Sequence, residues 1–204
     1  MRRPSPEFWP NRNRSRMSEG SLGENCKRPR FVPDRPFPHY AYVPGRFPHP
    51  KRSPKGHSFG VLPGRVGPLD PNRWDECRPY LYGLDLFNYG YYWEAHEVWE
   101  VLWHGCGREG LAADFIKGLI KLAAAGVKAR EGKPEGMKRH ALRARGLFEG
   151  TILRLGPEYP RYMGLSLSQL INFATEVSNL REVARGKPER PVEVVFRFVL
   201  RPVR

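Results

Sequence analysis

Apolar residues recur at steps of three and four from about Pro71 onward, and no such period exists before it. That contrast divides the chain into a helical part and a non-helical preface. Within the helical part the spacing predicts five helices. The first spans roughly Arg78 to Asn88 and stops at Gly90 as a left-handed cap. The second covers about Tyr91 to His104, ended by Gly105 and Gly107. The third, about Leu111 to Glu131, carries Phe115, Ile116, Leu119, Ile120, Leu122, Ala123 and Val127 across a wide arc, as a central bundle helix does. Lys117, Lys121 and Lys128 share its remaining stripe, most simply a solvated one, while Gly118, Ala125 and Ala129 keep another edge thin for a close neighbour. The fourth, about Pro134 to Leu155, places Met137, Ala141, Ala144, Phe148, Ile152 and Leu155 on one face. The fifth opens with the capping box Ser166-Leu167-Ser168-Gln169 and runs to Gly186 before Pro188. No internal strand is expected.

The fold class is therefore all-α: a small bundle of about five helices over residues 71–190, with extended appendages. Residues 1–36 are polar and Arg-rich, and are expected to be a disordered basic tail in which Met17 is a candidate alternative start. Residues 37–70 interleave Tyr40, Tyr42, Phe47 and Phe59 with Pro and Gly, which suggests an extended segment laid on the bundle. The tail, residues 191–204, alternates enough to be extended and either pairs with Tyr40–Gly60 or lies across the helices.

Charge changes the picture less than its total suggests. The chain of 204 residues has a formal net charge of +14, but residues 1–70 hold 14 Lys and Arg against 5 acids, leaving 21 against 16 for the rest. The folded part is only mildly basic, and nucleic-acid binding enters as a candidate through the Arg-rich arm and its aromatics. Three scattered cysteines make no disulfide framework and suit a reducing cytoplasm. No run approaches the ~18 apolar residues of a membrane span, so no membrane partner is expected.

The chemistry concentrates in YYWEAHEVWEVLWH, residues 91–104, where two histidines and three glutamates sit among tryptophans. At ~100° per residue, Ala95, Val98, Trp99 and Leu102 lie on one side, and Trp93, His96, Glu97, Glu100, Trp103 and His104 on the other. His96 and Glu100, one turn apart, can reach one point in space and form half of a divalent-metal site. His104 lies about 12 Å from His96 along the axis, too far to share the ion, and is read as a charge complement to the helix C-terminus. Third-ligand candidates are His140 on the fourth helix and His49 or His57 of the preface, with Glu97 or Glu94 as general base for a metal-bound water. The alternative is structural: His96 and Glu100 as a hydrogen-bonded pair with Asn88, Lys117 or Arg139, the tryptophans as core, and Asn88 bonding helix ends.

The stretch LFNYGYYWEAHEVWEVLW, followed by FIKGLIKLAAAGVKAREGKPEGMKRH, resembles the family known as domain of unknown function 309. The resemblance rests on Phe87, Asn88, Gly90, Tyr92, Glu94, His96, Glu97, Glu100, Trp103, Gly118, Leu119, Ile120, Ala124 and Gly136, over about Leu81 to Phe148. It implies a small cytoplasmic all-α bundle of bacterial type. Relatives are sometimes labelled predicted metal-dependent hydrolases, a label that rests on the same His/Glu helix. Lys117 and Lys121 depart from the pattern, flanking Gly-Leu-Ile where glutamines are common. Three functions remain open: a metal-dependent hydrolase, a helical module binding a small molecule or peptide, and nucleic-acid binding through the arm. A homo-oligomer is compatible with each.

Overall fold

A computed structural model describes residues 28–61, 67–180 and 190–204. Among them are five α-helices: α1 (Arg78–Asn88), α2 (Tyr92–Gly105), α3 (Gly110–Glu131), α4 (Pro134–Leu155) and α5 (Leu167–Asn179). The architecture is the expected all-α bundle. α3 packs between α2 and α4, and α5 closes the far side of α4. Close approach is set by missing side chains. Gly118 faces the Phe148 ring on α4 and Gly126 faces the Tyr92 ring on α2, at distances a Cβ would violate. Trp99, Phe87, Phe115, Phe148, Leu102, Ile116, Leu119 and Leu122 fill the core between them. Burying each such side chain is worth roughly 1.5–3 kcal/mol.

Two elements escaped the sequence reading. A 3₁₀ helix at Pro71–Glu76 precedes α1, capped by the Asp70 carboxylate, which accepts from Asn72 N. Two-residue strands β1 (Arg161–Tyr162) and β2 (Leu165–Ser166) form a tight hairpin between α4 and α5. Its two turn residues, Met163 and Gly164, have φ of 48° and 78°. Such a hairpin is too short to have an alternating signature. Ser166 caps α5 as read, its hydroxyl accepting from Gln169 N, and α5 ends at Asn179. The expected stop at Gly186 lies outside the described residues.

The extended segments are held by polar side chains of the helices, not by a sheet. Residues 28–36 were expected to belong to the disordered arm; instead they pack on α1. Val32 is 1 % exposed. The fully buried Asp85 carboxylate accepts from Phe31 N at 2.8 Å, Val32 N at 2.9 Å and Arg30 Nε at 3.3 Å. Arg35 stacks 4.0 Å over the Tyr82 ring, and Arg28 reaches Phe196 O. These arginines were read as part of a solvated arm, yet each has a partner within the molecule. Residues 1–27 lie outside the described residues.

The C-terminal tail lies across the helices and meets the preface at one backbone bond, Ala41 N to Pro191 O. Asn88 does not cap a helix end, as was expected. Its side-chain amide bonds both backbone groups of Leu200, donating to O and accepting from N at 2.8 Å each. It acts as one rung of an absent strand. The Tyr92 hydroxyl accepts from Val195 N and Phe196 N, and Phe196 and Leu200 are buried. Gly90 is doubly constrained: its φ is +88°, and a Cβ there would meet Glu193 O of the tail at 2.5 Å.

Replacing Asp85 by Ala strands two buried backbone N–H groups and one guanidinium, so Asp85→Ala should lose about 3 kcal/mol or more in chemical denaturation. Asp85→Asn keeps one acceptor and should lose less. Equal stability of wild type and Asp85→Ala would contradict this anchoring.

Candidate metal centre

α2 carries its ionisable groups on two sides, and each side meets a different part of the molecule. Ala95, Trp99 and Leu102 face the core, with Trp99 Nε1 donating to Tyr80 O at 3.3 Å above Gly83. Trp93 and Trp103 are only half-buried, so the reading of all three tryptophans as core holds for Trp99 alone.

On the side facing residues 37–61, the strap, Glu94 is buried at 5 % exposure, and its Oε1 accepts from Tyr42 N at 2.8 Å and meets His57 Nε2 at 3.1 Å. The His57 ring lies edge-on to Tyr40, with Nδ1 on the Ser58 hydroxyl. His49 packs edge-on to Trp93, and its Nδ1 accepts from Lys51 N. Thus His57 and His49, candidates for the third ligand, are occupied in fastening the strap. Glu94, a candidate base, holds Tyr42 and His57 through Oε1, while its Oε2 is buried without a hydrogen-bond partner.

On the other side, His96, Glu97 and Glu100 offer ligand atoms that all lie within 4.8 Å of one another, a group that could hold a metal ion. The third member is Glu97, adjacent to His96 in sequence and expected from the sequence as a general base. His96 Nδ1 is buried with no hydrogen-bond partner, 3.8 Å from Glu97 Oε1. The structural alternative pairs His96 with Glu100 and offers Asn88, Lys117 or Arg139 as further partners. Asn88 is committed to the tail instead, and Lys117 lies 5.3 Å over the Trp103 ring. Burial holds the His96 pKa below its usual value against the pull of Glu100 and Glu97, which keeps the ring neutral and able to donate a lone pair. Lys51, reaching from the strap, forms an ion pair with Glu97.

The donor set fits a divalent cation in kind: one imidazole and two carboxylates on one turn and a half of helix. Bonds of about 2.0–2.2 Å require ligand atoms to stand roughly 3.3–3.6 Å apart in a tetrahedral site, so the three would close in slightly from their present spacing. Glu97 would also exchange Lys51 for the ion.

His140 stands on α4 outside this group, and its Nδ1 is buried without a partner. Burial, followed by the nearby cations Lys121, Arg143, Lys128 and Arg139, pushes its pKa down to about 4. His104 is exposed, and its Nδ1 accepts from Arg108 Nε at 2.8 Å.

Residues 80–140 match the sequence model of the family described as Domain of unknown function (DUF309). This segment is a DUF309 domain. It runs from the start of α1 to the first half of α4 and contains both sides of α2. No curated protein matches the chain. Beyond the DUF309 segment lie the strap, the hairpin, α5 and the tail. No helix among the described residues is long and apolar enough to cross a membrane.

The unfolded chain takes up a proton at His140 below about pH 6.5, whereas the folded protein does so only near 4. The stability contributed by neutral His140 is therefore intact above 6.5 and falls away as pH drops toward 4. Melting temperature should decline over that window, and His140→Gln should flatten the decline; an unchanged profile would oppose the assignment. Glu94→Ala should leave helix content by circular dichroism nearly unchanged while speeding tryptic cleavage at Lys51, Arg52 or Lys55.

Proposed function

We propose that His96, Glu97 and Glu100 of the DUF309 domain bind a divalent metal ion and form a hydrolytic centre. The observation that carries this reading is the convergence of three ligating side chains around a buried imidazole nitrogen that no protein group satisfies. A buried polar atom without a partner costs roughly 1–3 kcal/mol, which an ion at that position would recover. The bound ion would supply Lewis acidity and lower the pKa of a coordinated water.

The protein's own part follows from the three side chains. His96 is kept neutral by burial and donates a lone pair. Glu100, one turn on, fixes the second position. Glu97 has two alternatives: as a third ligand it would complete the set, and paired with Lys51 instead it would be free to accept a proton from a water. Glu94 has no such freedom, since the strap occupies it, and its proposed part is to hold Tyr42 and His57 in place beside Trp93.

Titration of metal-free protein with manganese or zinc tests this. The expected result is one site per chain, weakened more than about 100-fold in His96→Ala and in Glu100→Gln. His104→Ala, on the same helix but exposed, should bind as wild type does. Absence of stoichiometric metal, or equal binding by His96→Ala, would overturn the proposal.

A further inference from the structure

α3 lies between α2 and α4, and its half-buried Lys117 and Lys121 sit on the strip between these two neighbours. Two contacts fix the register: Lys117 Nζ lies over Trp103 of α2 at 5.3 Å, and Lys128 lies along Gly136 of α4. Lys121, one turn on from Lys117, is near enough to Glu100 on α2 and Arg143 on α4 for their charges to act on it. Lys121 thus stands between the His96/Glu97/Glu100 group and the face of α4 that carries His140 and Arg143.

The stripe reads as solvated from sequence alone, but two features separate part of it from an ordinary solvated face. Lys128 is neutralised by Glu131 at 2.8 and 3.0 Å, whereas Lys117, Lys121 and Arg143 make no ion pair among the described residues. They gather beside His140 as a cationic group whose nearest counter-charge is Glu100 of α2, and their mutual repulsion costs stability. Burial and the neighbouring Arg143 and Lys117 lower the Lys121 pKa, and Lys121 in turn depresses that of His140. Second, buried polar atoms without partners flank the group on both sides: Trp103 Nε1 on α2 and His140 Nδ1 on α4. An indole nitrogen can only donate, so its partner must be an acceptor.

The geometry points to an anion subsite in which Lys117, Lys121 and Arg143, flanked by the Trp103 Nε1–H and His140, bind the phosphate group of a small-molecule substrate beside the His96/Glu97/Glu100 centre. A phosphate offers the several acceptor oxygens and the double charge that two ammonium groups, a guanidinium fork and an indole N–H call for; a carboxylate offers fewer. The term substrate rests on the proposed hydrolytic centre, whereas the phosphate contacts stand without it. Together they make the preferred substrate a phosphorylated small molecule.

The test uses the full chain freed of metal by chelation and titrated with inorganic phosphate at low ionic strength, followed by calorimetry and melting temperature. Saturable binding with a rise in melting temperature is expected. Affinity should fall roughly tenfold or more in Lys121→Met and in the exposed Arg143→Gln, and stay unchanged in Lys138→Gln, which sits on another side of α4. No phosphate binding, or equal binding by Lys121→Met and Arg143→Gln, overturns the subsite. An equal response to acetate overturns the assignment to phosphate. Binding of a single-stranded oligonucleotide with no response to inorganic phosphate overturns the small-molecule reading. Manganese titration of the same variants keeps the two readings apart: phosphate binding without manganese binding sinks only the metal centre, and manganese retained with phosphate lost in Lys121→Met supports the subsite.

Discussion

Nearly fifty residues of this chain run outside helices yet lie against the bundle, and their backbone polar groups have no sheet to enter. Each buried N–H and C=O needs a partner. The helices provide them from inside their own faces. Asp85 receives the backbone at Phe31 and Val32, Asn88 that at Leu200, Tyr92 that at Val195 and Phe196, and Glu94 that at Tyr42. Arg130 reaches Ala41 O and Arg190 O from α3 in the same manner. Buried charge is costly in isolation, and here it is spent on backbone groups that would otherwise be stranded.

That constraint decides where the candidate chemistry lies. Once Glu94 turns toward the strap, it takes His57 with it, and the strap's aromatic rings close around Trp93. His96, Glu97 and Glu100, rotated around the same helix, lie on its other side instead. One helix therefore serves as a structural anchor on one side and carries the candidate His/Glu metal group on the other. Lys51 is the link between the two, since it belongs to the strap and reaches Glu97. The electrostatic character of that group's surroundings comes from α3 and α4: the carboxylates of α2 oppose lysines that have no other counter-charge among the described residues.

Much of the fold was legible because helical periodicity is a local property. The steps of three and four through Met137, Ala141, Ala144 and Phe148 describe a buried face whatever it packs against, and Gly118 already marked where a neighbour would come close. The 3₁₀ helix and the two-residue strands left too few positions to establish a period. The same limit governed the site. His96 with Glu100 could be read from a single helical turn, and Glu97 was placed on the same face as a candidate base; that its carboxylate comes within ligand distance of both is a matter of side-chain geometry that spacing does not give.

The amino-acid order by itself determined the helices, their buried faces, the all-α class and the gathering of imidazole and carboxylate on α2, since all of these follow from spacing along one chain. Only the tertiary structure decided which polar residues are anchors and which are free: Asn88 and Glu94 look as available as Glu97 until extended segments arrive and occupy them. The physical reason is that a hydrogen-bonding group takes its role from the partner that the fold as a whole brings within bonding distance. For Asp85 and Asn88 those partners lie 54 and 112 residues away in sequence, beyond any local pattern.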